Sequence, residues 1–263
     1  MTNVCTCPHL PQISVSRETR PMDAREIFAE QARQWGLLDA ERLLANICPF
    51  VELLGSYDKA NIVGTRIPDA LLLDHVLDSL SCLLYEPLLK ARSIVDVGAG
   101  AGLPGIPLKI ASPRLRTTLI ESTGKKARFL RFATEQLGLS DVFVMNQRVE
   151  EVALQPNQRS CHDIAVSRAV SSLPVLAEYC VPLVSEQGSV VAMKGEISRD
   201  ELQKGKRAAT QLGARLIEIK RVPLHPDVRA RKRNLVILRK VGPTPMKYPR
   251  RAGIAAKRPL GGE

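Results

Sequence analysis

Four glycines stand within eight residues in Asp96-Val97-Gly98-Ala99-Gly100-Ala101-Gly102-Leu103-Pro104-Gly105, at the end of an apolar run. Glycines there let the chain turn tightly after a strand and bring its backbone against a ligand at a helix N-terminus. Two registers fit. Gly100, Gly102 and Gly105 satisfy the dinucleotide fingerprint G-x-G-x-x-G, whereas Gly98, Gly100 and Gly102 give G-x-G-x-G led by Asp96. In the first register the loop begins late, and a pyrophosphate would favour a neutral lead-in over a carboxylate. In the second, Asp96 suits a cationic ligand. S-adenosyl-L-methionine carries an amino group and a sulfonium and no phosphate. Glu121, at the end of the next apolar run, stands where an adenosine ribose presents its hydroxyls in either case.

These residues need a scaffold. From residue 93 onward short apolar runs alternate with amphipathic segments. Ser93–Val97, Arg116–Ile120, Val142–Met145, 163–166 and 189–193 read as strands. Segments 103–111, 124–137, 173–183 and 199–212 read as helices, with Pro104 and Pro107 in the first turn of the first. Two last strands, 215–221 and 233–239, leave no room for a helix between them. The alternation predicts an α/β fold: a doubly wound parallel sheet ending in an antiparallel strand pair, with the site at the carboxyl ends of the strands. Residues 22–84 read as helical instead. Asp23 caps a helix holding Ile27, Phe28 and Trp35, and Gly36 ends it. Asp39 caps a second, which Pro49 is expected to kink or split. A third starts at Asp69. The expected division is a flexible extension over 1–21, a helical region over 22–90, a core over 91–240 and a basic tail over 241–263.

The 263 residues carry 38 Lys+Arg against 27 Asp+Glu, a formal charge of +11. From Gln203 onward there are 17 basic and 3 acidic residues, which leaves 21 and 24 for the first 202. A basic last quarter points to a polyanionic partner, nucleic acid first and membrane surface second. The alternative is a solvated basic tail. Its clusters are Arg229-Ala-Arg231-Lys232-Arg233 and Lys247-Tyr248-Pro249-Arg250-Arg251, where Tyr248 offers a stacking face. With 44% apolar residues the chain is not a disordered one. No run approaches the ~18 apolar residues of a membrane span, and the start lacks the basic and apolar regions of a secretory signal. Cys5, Cys7, Cys48, Cys82, Cys161 and Cys180 are scattered, as in a reduced cytoplasmic protein. Neither Cys5-Thr6-Cys7 nor Cys161-His162 has zinc-ligand spacing, so no metal is expected.

The stretch Ile94-Val-Asp-Val-Gly-Ala-Gly-Ala-Gly-Leu-Pro-Gly-Ile-Pro-Leu108 resembles the motif of the RsmG (GidB) family, bacterial methyltransferases that modify a guanine N7 of small-subunit ribosomal RNA. Segments 61–66, 75–80, 119–122, 147–150 and 247–254 match as well, with Lys125-Lys126, Ser167-Arg168-Ala169 and Lys194-Gly195. The likeness runs from about residue 27 to residue 260. It departs at 61–64, where Asn-Ile-Val-Gly replaces the usual Asn-Leu-Thr-Ala, and it has no counterpart before Met22. The resemblance implies a Rossmann-like class I methyltransferase sheet, S-adenosyl-L-methionine as cofactor and 16S ribosomal RNA or the small ribosomal subunit as partner. It implies that Gly98, Gly100 and Leu103 line the loop side of the cofactor, that Glu121 and Ser122 face its ribose, and that Val149 and Glu150 contact its adenine. Arg168 would border both cofactor and incoming base, and with Lys194 and Arg148 would form the catalytic frame. Lys125, Lys126, Arg231, Arg233, Arg250 and Arg251 would hold RNA. His75 and Asp78 match without an assigned role and, at i and i+3, equally suit a helix-surface pair. The expectation is a cytoplasmic monomer away from membranes.

The chemistry agrees with what the sequence lacks. Guanine N7 carries an in-plane lone pair and no proton, so its methylation needs no general base, and no catalytic triad is evident. Cys161 precedes a strand rather than standing in a Pro-Cys motif. Ser167-Arg168-Ala169 stands where exocyclic-amine enzymes carry Asn/Asp-Pro-Pro-Tyr/Phe. Such an enzyme works by orientation, with N7 in line with the methyl group and the guanine accessible in a loop or flipped out. Two other readings stay open: a dinucleotide-dependent oxidoreductase, which Asp96 and the lack of a proton-relay Tyr/Lys or His disfavour, and a non-catalytic RNA-binding protein on a methyltransferase-like fold.

Overall fold

The computed structural model describes residues 22–37, 39–226, 228 and 232–262; the extension over 1–21, Arg229 and Arg231 lie outside the described residues. Seven strands form one sheet: β1 (Ser93–Val97), β2 (Arg116–Ile120), β3 (Val142–Met145), β4 (His162–Arg168), β5 (Val184–Lys194), β6 (Ala214–Arg221) and β7 (Asn234–Lys240). Their order is β3-β2-β1-β4-β5-β7-β6. Strands β1 to β5 are parallel, because a helix carries the chain back between each pair. The link from β6 to β7 shows no helix among its described residues, and β7 runs antiparallel to both β5 and β6. This is the doubly wound sheet with a terminal antiparallel pair that the alternation predicts. Strand order reverses at β1, so the crevice opens at the carboxyl ends of β1 and β4. Asp96 stands opposite Leu119 of β2 and Val166 of β4, which delivers Asp96, Glu121 and Arg168 to the same end of the sheet.

Strand β5 begins earlier than the apolar run 189–193 indicates. Its first half holds polar Ser185, Glu186 and Gln187, and Gln187 adopts a left-handed φ of 66°, so the alternation that reveals a strand is broken there.

The chain enters through α1 (Ala24–Gln34). Asp23 accepts from the Arg25 and Glu26 N–H groups, and Glu26 returns a bond to the Asp23 N–H, a complete capping box. Helix α2 (Ala40–Ser56) is capped by Asp39 and continues through Pro49, so of the predicted kink or split the split is absent. Burial of Ile47, Phe50, Val51 and Leu54 along one face outweighs the missing N–H bond. Next, α3 (Pro68–Ala70), a π-wound stretch Leu71–Leu77 and α4 (Asp78–Leu80) follow one another without interruption. A 3-10 turn (Ser81–Leu84) and α5 (Glu86–Leu89) lead into β1. The sheet helices are α6 (Gly105–Ala111), α7 (Gly124–Gln136), α8 (Val149–Val152), α9 (Leu173–Cys180) and α10 (Arg199–Gln211), and a short α11 (Ile254–Lys257) lies near the end.

Alternate strand residues face opposite cores. Ile94, Leu119, Val166 and Ile237 pack with Ile27, Phe28, Phe50 and Phe129, so the helical region shares one core with the sheet. Val95, Ile120, Ala165 and Val236 pack with Leu176, Ala208 and Leu212 on the other face. Residues beyond β7 fold back on that second face. Arg159 donates to the carbonyls of Thr244 and Tyr248 at 2.9 and 2.8 Å. Tyr248 is 8% exposed and packs in the core, which corrects its expected use as a stacking face.

Candidate active site

The glycine loop divides its labour. Gly98, Gly100 and Gly102 all have left-handed φ, at 74°, 57° and 83°. A Cβ on Gly98 would stand 2.7 Å from Val170 Cγ2, one on Gly102 would press into Ile106, and one on Gly105 would lie 2.5 Å from Leu119 Cδ2. Those three are needed for packing. A Cβ on Gly100 would meet only the Gly98 carbonyl, at 3.8 Å, so the space beside Gly100 is open. Its backbone is where a ligand can approach. Leu103 is buried behind the loop.

Glu121 closes the other side. Its carboxylate accepts from the Gly100 N–H at 2.9 Å and the Thr123 N–H at 2.7 Å, while the Asn146 amide donates to its carbonyl at 2.9 Å. Ser122 is exposed beside it. Asp96 lies fully buried beneath the loop. One carboxylate oxygen accepts the Gly105 N–H at 2.8 Å, and the other has no partner. Burial lifts this carboxyl to about 7; the Gly105 bond and the Arg168 charge pull it down, and Glu121 pushes it up.

Arg168, at the end of β4, turns into the π-wound segment. Its Nε stands 3.3 Å from Asp78 Oδ2, its Nη1 donates to the His75 carbonyl at 2.9 Å, and its Nη2 reaches His75 Nδ1 at 2.8 Å and the Asp74 carbonyl at 3.1 Å. Arg233 Nε completes the group, 2.6 Å from Asp78 Oδ1. Asp78 is 3% exposed, so His75 and Asp78 are not a helix-surface pair: Asp78 joins two guanidinium groups in the interior. Burial, then the Arg168 charge, lower the His75 pKa. With Nδ1 accepting from Arg168, the neutral ring carries its proton on Nε2.

The remaining candidates separate into tied and free side chains. Lys194 Nζ sits 2.9 Å from both Glu201 and the Ser171 carbonyl, and Glu201 also accepts the Leu173 N–H, fixing the turn after β4. Val149 is half-buried against the second core. Glu150 is buried and accepts the Gly253 N–H at 2.9 Å, and it also bonds Tyr179, which links α8 to the end of the chain. Arg250 makes a 2.6 Å ion pair with Glu178, a fully buried carboxylate. Of the RNA contacts expected from sequence, the Arg233 and Arg250 guanidinium groups are held by the buried carboxylates of Asp78 and Glu178, which cannot be left unpaired. Lys125, Lys126, Arg148 and Arg251 have no ion-pair partner among the described residues, and Arg231 lies outside them.

Asn146, Val170, Glu178 and Tyr179 were not legible as parts of this region. One of them had a signal: Glu178 is the lone acid in the otherwise apolar helix LPVLAEYC, and such a carboxylate demands a cation from elsewhere.

Comparison with known proteins bears on this geometry. A family model described as rRNA small subunit methyltransferase G (GidB) matches residues 44–232. The chain is 54% identical over 240 residues to the protein named Ribosomal RNA small subunit methyltransferase G from Rubrobacter xylanophilus, covering 91% of this chain and 92% of that one. It is 41% identical over 236 residues to the protein of the same name from Pelotomaculum thermopropionicum, covering 89% and 98%. Among solved structures, a mutant of MtNAS aligns with a TM-score of 0.50 at 14% identity, over 83% of this chain and 86% of that one, a likeness of fold alone. The family match spans the glycine loop, Glu121, His75, Asp78, Arg168 and Lys194, and with relatives alike over nearly their whole length the chain belongs to the ribosomal RNA small subunit methyltransferase G (GidB) family.

Proposed function

We propose that the protein transfers a methyl group from S-adenosyl-L-methionine to N7 of a guanine in 16S ribosomal RNA. The observation that carries this reading is the unpartnered oxygen of Asp96, buried beneath a loop whose Gly100 face is open. A buried carboxylate oxygen without a donor is costly unless a ligand supplies one. The cofactor's ammonium group is such a donor, and a pyrophosphate is not. Glu121 and Ser122 would hold the ribose, Val149 would flank the adenine, and Gly98, Gly100 and Leu103 would form the loop wall. The bound cofactor supplies an electrophilic methyl group on sulfur.

The chain's own work is orientation. Guanine N7 has no proton to remove, so the site needs no base. Arg168 is a positioning residue, since its donors hold the helical segment rather than point to a free base. Lys194 fixes the turn after β4. Glu150 acts through Tyr179 and the chain end. Arg148, Lys125, Lys126 and Arg251 are left to meet phosphate. The core over 91–240 would carry the cofactor, with the helical region and tail framing it. The protein would work as a cytoplasmic monomer; Cys48, Cys82, Cys161 and Cys180 are all free thiols, as a reducing compartment requires.

Calorimetry with S-adenosyl-L-methionine and separately with NADH, joined to mass mapping of 16S ribosomal RNA from cells with and without the gene, tests the proposal. Binding of the first ligand alone and loss of one methylated guanine are expected. NADH binding would turn the reading to an oxidoreductase, and unchanged RNA would turn it to a binding protein. In the same assay Gly100→Val should abolish cofactor binding, because the branch fills the open face and Val resists a φ of 57°.

A further inference from the structure

Most basic side chains that the structure describes near an acid are spent on it: Arg33 on Glu41, Lys204 on Asp200, Lys232 on Glu196, Lys194 on Glu201. One region differs. Along α7, Lys125, Arg128 and Arg131 recur at intervals of three residues and share a face with Phe132. The chain leaving α2 sets Tyr57 and Lys59 across from them. These six residues line a cleft of about 380 Å³ whose one carboxylate is Glu135. None of the four cations has an ion pair or a side-chain hydrogen bond among the described residues, and all four are exposed.

The cleft also has an aromatic floor. The Tyr57 ring meets Phe129 edge-on, with centroids 4.8 Å apart and planes at 65°, and lies 5.7 Å from Phe132. Phe129 is fully buried, so the floor is anchored in the core. Arg66 Nη2 donates to the Tyr57 carbonyl at 3.1 Å and holds that segment in place. Helix α7 begins three residues after Glu121, at the carboxyl end of β2, so Lys125 stands at the site end of the cleft and Arg128 and Arg131 continue it down the helix, away from the site.

We propose that this cleft binds a short single-stranded segment of the RNA substrate that leads away from the site, with phosphates on Lys59, Lys125, Arg128 and Arg131 and a base stacked on Tyr57 and Phe132. The proposal rests on the methyltransferase reading. Four exposed cations against one carboxylate favour an anionic ligand, and an aromatic floor beneath them favours one with a planar face. An anionic membrane supplies the charge but neither the plane nor the fit to a concavity. The volume lies in the ~300–1,000 Å³ range of small-ligand sites.

The test uses the full chain and a labelled single-stranded RNA oligonucleotide, with affinity read by anisotropy at several salt concentrations. Calorimetry with S-adenosyl-L-methionine and a melting curve accompany each variant. The triple variant Lys59→Ala, Arg128→Ala, Arg131→Ala changes exposed positions only. Its log–log salt slope should become shallower by about 2, since each single-strand phosphate contact contributes roughly 0.7. Tyr57→Leu should weaken RNA binding at least about fivefold, and Tyr57→Phe should retain it. With subunits as substrate, the triple variant should raise KM and leave kcat unchanged. Wild-type RNA affinity and slope in a folded triple variant would overturn the proposal, as would a loss of binding to phosphatidylserine vesicles with RNA binding intact. Failure of the wild-type protein to bind S-adenosyl-L-methionine would instead sink the reading on which the cleft depends.

Discussion

Asp96 places the cofactor question on one oxygen atom. In the unfolded chain its carboxyl titrates near 3.9, and in the folded protein burial lifts it to about 7. Between those values the folded state binds the extra proton, so this group's contribution to stability falls as pH rises from about 4 to 7. A cationic ligand reverses the preference, since it pairs with the ionised form. S-adenosyl-L-methionine should therefore bind more tightly as pH rises through about 7, with a proton released on binding below it. Calorimetry at pH 6 and pH 8 in buffers of different ionisation enthalpy reads both effects. Asp96→Asn should flatten the pH dependence and weaken binding, and an unchanged pH profile in that variant would remove Asp96 from the site. Glu121 behaves differently, since its carboxylate already accepts two N–H groups. Glu121→Ala should weaken the cofactor by about 1–3 kcal/mol through lost charge-assisted bonds, and an unchanged dissociation constant would count against its role.

At the scale of elements, the π-wound segment and β4 are joined through Asp78. Asp78→Asn would leave Arg168 and Arg233 facing each other in the interior. Breaking a buried pair in this way costs about 3 kcal/mol, which for a chain of this size lowers the melting temperature by roughly 6–12 °C. If Arg168 positions the helical region over the site, methyl transfer should slow while cofactor affinity holds, and a variant that only melts earlier would leave that role unsupported. The same cluster shows which features the sequence makes legible. The strands, the glycine loop, Asp96 and Glu121 are local patterns, readable from periodicity and neighbouring residues. Pairings are not. Arg233 meets an acid 155 residues away and Arg250 one 72 residues away, so a run of basic residues looks free until the fold brings the carboxylates to it. Pro49 follows the same logic, with packing over a whole helix face deciding against a split.

For the whole molecule the decisive part is the chain end. Read as sequence, removal of 246–263 cuts no predicted helix or strand and leaves three outcomes open: weaker RNA binding from a lost clamp, no change from a solvated tail, or lower thermal stability if Pro249, Gly253 and Pro259 fold the segment against the sheet. The structure favours the third. Arg250 leaves Glu178 without its cation, Tyr248 leaves a hole in the second core, and Gly253 no longer holds Glu150 in α8. Arg207 also loses its bond to the Gly261 carbonyl, 2.8 Å long. An orphaned interior carboxylate alone costs about 3–5 kcal/mol. The deletion should therefore lower the melting temperature and, through Glu150 and α8, weaken the cofactor. Arg250→Ala should reproduce most of the thermal loss. Arg251→Ala with Lys257→Ala should do the reverse, because both side chains are exposed: the melting temperature should hold, and the RNA salt slope should become shallower by at most about 1.4–1.8. Melting curves and salt titrations on the three variants separate an anchor from a clamp. A deletion that melts like the full chain would contradict the anchoring role read from Glu178 and Tyr248.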